Sequence, residues 1–233
     1  MKKSEIDIRQ KTYITESDSG PHLETIDGKV SLVSGKISVC GDYTLLKKRL
    51  THANLSHEML VKAVKVKNAE MPLTILDATA GLGEDSLLLA ATGYKVDMCE
   101  KNTTVYALLS DTIKRALDDP ELNPVVSRMS VFNTDSLTYM GSPDNRADIV
   151  YLDPMFPERT KSAQVKKKFQ LIHGLEKPCE NERELLNAAL TFATMRVVVK
   201  RPKNGNFLAE RKPDYSINGS SVRYDCYVTG YKN

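Results

Sequence analysis

From Leu73 onward, short apolar runs alternate with amphipathic stretches, a pattern that few folds can accommodate. The runs are "LTILDAT" (Leu73–Thr79), "YKVDMCE" (Tyr94–Glu100), "RMSVFNTD" (Arg128–Asp135), "ADIVYLD" (Ala147–Asp153) and "MRVVVKRP" (Met195–Pro202). Between them, "EDSLLLAATG" reads as a helix stopped by Gly93 and "TVYALLSDTIKRALDD" as a long amphipathic helix. Ser162–Gly174 and Glu182–Ala193 supply two more. Strands that are apolar at nearly every position must be covered on both faces, which predicts a mostly parallel α/β sheet with helices on each side. In a doubly wound sheet ligands lie beyond the carboxyl ends of the strands. In this chain those ends carry Asp77, Glu100, Asp135, Asp153 and Lys200.

The flanks are less regular. Residues 1–28 are polar, have no convincing period, and are expected to be peripheral. "KVSLVSGKISVC" (Lys29–Cys40) alternates around Ser34-Gly35 and predicts a hairpin. Leu55, Met59, Leu60, Ala63 and Val64 have helical spacing, so a helix is expected within Lys47–Lys67. The expected organisation is an N-terminal appendage over 1–70 and a main domain over 71–233. Near the C-terminus "SVRYDCYVTGY" alternates as an antiparallel strand at an exposed edge would.

"LDATAGLGEDS" follows the first apolar run and opens a helix, the context in which glycines let the backbone approach a ligand. Gly81-x-Gly83-x-x-Ser86 is one glycine short of a dinucleotide fingerprint, and Glu84 and Asp85 stand at the helix start. Carboxylates there suit the helix dipole but would repel a pyrophosphate on the same amides. S-adenosylmethionine carries no phosphate; its sulfonium and ammonium against one carboxylate match acidic neighbours. Glu100 is then placed to accept from the ribose hydroxyls, and Asp135 and Ser136 to take the adenine amine.

Asp153-Pro154-Met155-Phe156-Pro157 resembles the turn used by methyltransferases that act on an exocyclic amino group. Such an amine is a poor nucleophile because its lone pair is delocalised into the ring. Asp153 and the Pro154 carbonyl can hold its N–H groups, the prolines keep these acceptors preorganised, and Phe156 offers a face for an extruded base. Lys161 and Lys166, Lys167 and Lys168 flank this turn, and Lys200-Arg201 ends the fifth run on the same rim. All six are candidate phosphate contacts.

Composition sets limits. At 233 residues and 41% apolar content the chain can bury a sizeable core. No apolar run approaches a membrane span and no secretory signal is visible, so a cytoplasmic location is expected. A net charge of +3 is weak by itself as an indication of a polyanionic partner. The four cysteines have no C-x-x-C spacing and the histidines no ligand spacing, so no metal is expected.

"LDATAGLGEDSLLLAATGYKVDMCEKN", "VYLDPMFPERTKSAQVKKKFQLIHGL" and "RVVVKRP" together resemble the ribosomal RNA small subunit methyltransferase J family from about Leu73 to the C-terminus. The resemblance implies a Rossmann-like class I methyltransferase with a seven-stranded sheet. It implies S-adenosylmethionine as cofactor and guanine N2 of 16S rRNA, free or in the small ribosomal subunit, as target. The same turn serves an adenine-N6 methyltransferase of DNA or RNA, and a nucleic-acid-binding module with a vestigial pocket would also keep the fold. The cofactor residues implied are Glu84 and Asp85, Glu100 and Lys101, Asp135 and Ser136, and Asp153. At the three pairs the family more often shows Arg-Asp, Glu-Arg and Ser-Ser, and residues 1–70 match it poorly.

Overall fold

The computed structural model describes residues 20–155, 171–172, 174–175, 179 and 181–230. Phe156, Lys161, Lys166, Lys167 and Lys168, with most of the helix expected after them, lie outside the described residues. The strands of the main sheet are β4 (Thr74–Asp77), β5 (Lys95–Cys99), β6 (Met129–Phe132), β7 (Ala147–Leu152), β8 (Ala193–Pro202), β9 (Tyr215–Asn218) and β10 (Val222–Val228). Their order is β6-β5-β4-β7-β8-β10-β9. From β6 to β8 all neighbours are parallel, while β10 runs antiparallel to both β8 and β9. The chain builds outward from β4 through β5 to β6, then returns to lay β7 on the other flank of β4. That reversal opens a crevice at the carboxyl ends of β4 and β7.

Alternate residues of the central strands feed two cores. Ile75, Ile149, Tyr151 and Val198 join one face, with Leu87, Leu89 and Leu109 from the helices Glu84–Ala91 and Thr103–Leu117. Leu76, Val150, Leu152, Val197 and Val199 join the other, under Leu185, Leu186 and Ala189 of the helix Glu182–Phe192. This two-sided burial is why the strands read as continuous apolar runs. No helix among the described residues is long and apolar enough to cross a membrane.

The N-terminal part departs from expectation in two ways. The hairpin β2 (Lys29–Ser34) and β3 (Ile37–Val39) forms as expected, but a further strand, β1 (His22–Ile26), pairs antiparallel with β2 in the polar stretch. Asp27 and Gly28 both have positive φ, at 49° and 74°, so the Asp-Gly pair between β1 and β2 was the available hairpin signal. The single helix expected in Lys47–Lys67 is instead a 3₁₀ helix, Tyr43–Leu50, and two short helices, His52–Leu55 and Met59–Val64. The Asn54 amide donates to the Lys48 carbonyl at 2.6 Å, competing with helix continuation, while Thr51 and Glu58 are extended. Tyr43, Leu60, Ala63 and Val64 pack directly into the core beneath β4 and β8. The three-stranded sheet lies on the helix Thr103–Leu117, with Leu32 and Val39 against Val105 and Leu108.

The strand expected at an exposed edge, β10, lies inside the sheet; β9 takes the edge. Arg223 and Asp225 give β10 its polar alternation, yet both are buried. Arg223 Nε pairs with Asp225 Oδ1 at 2.9 Å, and Arg223 Nη1 donates to the carbonyls of Lys203 and Gly205 at 2.9 and 2.8 Å. The Ser216 hydroxyl completes Asp225 at 2.6 Å. Buried charge that is fully paired mimics a solvent-facing pattern.

Candidate active site

The crevice at the β4/β7 reversal is a cleft of about 1560 Å³, and the strand-end acids line it together with the glycine turn. The turn is held from below. The fully buried Asp77 accepts from the Ser86 hydroxyl at 2.6 Å and from the Thr79 N–H at 3.1 Å, tying the end of β4 to the first turn of the next helix. Burial pushes the Asp77 carboxyl up to about 7, against the lowering effect of those two hydrogen bonds.

The two glycines do different work. Gly81 has φ +54°, and a Cβ there would meet nothing within 4 Å, so its surface opens into the cleft. Gly83 has φ +71°, and a Cβ there would come within 2.5 Å of Tyr43 Oη and 2.8 Å of Leu109 Cδ1. Tyr43, which donates to the Leu82 carbonyl at 3.0 Å, therefore braces the turn from the N-terminal segment. Sequence reasoning missed it, because nothing near Tyr43 in the chain marks it as part of the site.

Glu100, only 7% exposed at the end of β5, accepts from the Gly81 N–H through Oε2 at 3.1 Å and from the Asn102 N–H through Oε1 at 2.7 Å. Burial raises its pKa, opposed by these amides. Asp135 caps the helix Ser136–Gly141, its Oδ1 accepting from the Leu137 N–H at 2.8 Å, while Lys101 lies 3.9 Å from its other oxygen. Ser136 lines the same cleft wall.

The Asp-Pro corner is bonded to the glycine turn. The Asp153 N–H donates to Thr79 Oγ1 at 2.7 Å, and the Ala78 N–H donates to the Tyr151 carbonyl at 3.0 Å. Asp77, Gly81, Gly83, Glu84, Asp85, Glu100, Lys101, Asp135, Ser136, Asp153 and Pro154 all line one cleft. Thr79 was not singled out from the sequence, although it sits inside the motif that was.

Lys200 and Arg201 were expected on the rim, free for phosphate, and the structure turns both inward. Lys200 Nζ lies 2.8 Å from Asp85 Oδ2 and 2.9 Å from Asp153 Oδ2, and Asp85 Oδ2 also accepts from the Tyr151 hydroxyl at 2.6 Å. Arg201 is 6% exposed; its Nε donates to the Asn206 carbonyl at 2.8 Å and its Nη1 lies 3.6 Å from Glu182. Strand β8 is central enough that its terminal cations face neighbouring elements rather than solvent.

The cleft suits S-adenosylmethionine on its own chemistry. The floor at Gly81 is open, so backbone can lie against a flat ligand. Each Glu100 oxygen takes one N–H, which leaves each with capacity to accept from a diol hydroxyl. Carboxylates outnumber cations among the lining residues, as a ligand bearing a sulfonium and an ammonium requires.

Comparison with known proteins agrees. A family model described as "Putative SAM-dependent methyltransferase" matches residues 22–229. Ribosomal RNA small subunit methyltransferase J of Nitrosococcus oceani is 44% identical over 172 residues, spanning 73% of this chain and 67% of that protein. The protein of the same name from Thioalkalivibrio sulfidiphilus is 40% identical over 184 residues, spanning 78% of this chain and 72% of its own. The crystal structure of a SAM-dependent methyltransferase from Neisseria gonorrhoeae superposes with a TM-score of 0.74 at 34% identity, covering 92% of this chain and 85% of that one. With strand order, acidic cleft and relatives in accord, the chain belongs to the ribosomal RNA small subunit methyltransferase J family of class I SAM-dependent methyltransferases.

Proposed function

We propose that this enzyme methylates the exocyclic N2 amine of a guanosine in 16S rRNA, in the cytoplasm, on free rRNA or the small subunit. The single observation that carries the proposal is the bond from the Asp153 N–H to Thr79 Oγ1, because it fixes the amine-accepting corner against the cofactor turn. The relatives' printed name supports the rRNA substrate. The bound cofactor supplies a methyl group on a sulfonium, whose C–S bond breaks with its electron pair going to sulfur.

The protein's part is orientation and charge. Glu100 accepts from the ribose hydroxyls, Asp135 and Ser136 take the adenine end, Glu84 and Asp85 face the cationic end, and Lys101 stands beside Glu100 and Asp135. Asp153 and the Pro154 carbonyl each accept one N–H of the target amine, which localises the nitrogen lone pair for attack. As the N–C bond forms, the nitrogen becomes acidic and its proton passes to the Asp153 carboxylate and on to solvent. Phe156 is the stacking face for the flipped base. Lys161 and Lys166 to Lys168 are assigned to RNA phosphates, and part of target recognition to the segment 1–70.

The test is transfer of labelled methyl to purified small subunits and to stripped 16S rRNA, followed by mapping of the modified base. Label on guanine N2, lost in Asp153→Ala while the variant still folds, is the expected result. Label on adenine N6 overturns the guanine assignment, and full activity in Asp153→Ala overturns the role of the corner.

A further inference from the structure

The cleft contains a cation that the catalytic roles above leave unused. Lys200 Nζ sits between two carboxylates, 2.8 Å from Oδ2 of Asp85 and 2.9 Å from Oδ2 of Asp153. Oδ1 of Asp153 accepts no hydrogen bond among the described residues. Lys200 comes from β8, Asp85 from the helix after β4, and Asp153 from the end of β7, so three elements converge on one ammonium.

We propose that Lys200 is a positioning residue for methyl transfer: it occupies one oxygen of Asp153, holds the carboxylate ionised, and leaves the other oxygen to receive the substrate amine. This rests on the role given to Asp153 above. Two carboxylates that share one site cannot both stay ionised without a cation between them. With Lys200 present the trio carries a net single negative charge, which suits a nitrogen gaining positive charge. Without it, Asp85 and Asp153 repel, and Asp153 takes up a proton more readily.

The groups around Asp153 all enter this balance. Burial raises its pKa, Lys200 and Arg201 of β8 lower it, and Asp85 raises it. Among the described residues, Asp77 of β4, Tyr151 of β7 and Tyr224 of β10 also feel the Asp153 charge, and burial raises all three. Lys200 itself is held protonated, its burial outweighed by the two carboxylates. The sign follows: removing Lys200 raises Asp153 further, so activity that needs the carboxylate is lost at a higher pH as the solution is acidified.

The experiment compares wild type with Lys200→Met, Lys200→Arg and the double variant Lys200→Met/Asp85→Asn. Rates are measured at saturating cofactor against pH, alongside ¹³C NMR titration of the Asp153 carboxyl, which needs no turnover. Lys200→Met is expected to lower kcat about 100-fold at neutral pH. Its acid limb and the NMR midpoint of Asp153 should both move up, with KM for RNA and its salt dependence unchanged. Lys200→Arg should recover most of the rate. Asp85→Asn in the double variant removes the repelling charge and should bring the midpoint back down; if Lys200→Met alone does not fold, the double variant is compared with Asp85→Asn, against which its midpoint should still be the higher.

An Asp153 midpoint that stays at the wild-type value in Lys200→Met, or that the added Asp85→Asn does not bring back down, overturns the proposal. So does a retained kcat with a raised KM for RNA and a flatter salt slope, which makes Lys200 a phosphate contact. Wild-type transfer to adenine, or to no RNA, would overturn the proposed substrate while leaving the NMR comparison intact, so the two failures are distinguishable.

Discussion

Gly83→Ala and Gly81→Ala should fail in different assays, although both glycines have positive φ within one turn. At Gly83 the new methyl must adopt the left-handed region, which costs about 1–2 kcal/mol. It also meets Tyr43 Oη at 2.5 Å and Leu109 Cδ1 at 2.8 Å, and both belong to packed side chains rather than flexible tips. Overpacking of that kind costs about 1–3 kcal/mol, so the total loss is about 2–5 kcal/mol. For a chain of this size each kcal/mol moves the melting midpoint by about 2–4 °C. At Gly81 only the backbone penalty applies, because nothing lies within 4 Å. The Gly81→Ala methyl instead stands in the cleft where the cofactor lies, and more than about tenfold loss of affinity, about 1.4 kcal/mol, is expected. Urea unfolding with and without S-adenosylhomocysteine, and calorimetric titration of both variants, separate the effects. In a double-mutant cycle, Tyr43→Phe should couple favourably to Gly83→Ala by about 0.5 kcal/mol or more. Equal destabilisation of the two variants, or wild-type cofactor affinity in Gly81→Ala, would refute this division of labour.

Thr79→Val keeps shape but leaves the Asp153 N–H without its acceptor; about 1–3 kcal/mol of stability should be lost, with a fall in kcat measured under saturating substrates. Arg223→Met strands Asp225, which is fully buried, and should cost about 3–5 kcal/mol in urea unfolding. Asp77 titrates at about 7 when folded, above its ordinary carboxyl value, so the folded state binds more protons between the two. Its contribution to stability therefore declines as pH rises through that window, and the difference between wild type and Asp77→Asn in urea midpoint should grow in the variant's favour from pH 5 to pH 8. A difference that is flat with pH removes the buried carboxyl from the account.

Much of this protein is decided by local pattern. The runs from Leu73 to Pro202 are apolar at successive positions because both faces of β4, β5, β7 and β8 are covered, and a parallel sheet has no other way to read. The acids at Asp77, Glu100 and Asp153 stand out for the same reason, since each interrupts a buried run at its end, while Asp135 follows the half-exposed edge strand β6. Short polar elements carry no such signal. The strand β1 and the edge strand β9 are half exposed, and their pairing comes from neighbours rather than from their own side chains.

What only the tertiary structure decides is which charges meet. Lys200 reads as a surface cation beside Arg201 and Lys203, yet it closes on Asp85, 115 positions away, because β8 and the helix after β4 end at the same rim. Arg223 and Asp225 read as one face of an exposed strand until the loop carbonyls of Lys203 and Gly205 are folded over them. Apolar burial leaves a periodic trace along the chain. The pairing of charges depends on distances between elements far apart in sequence, and leaves none.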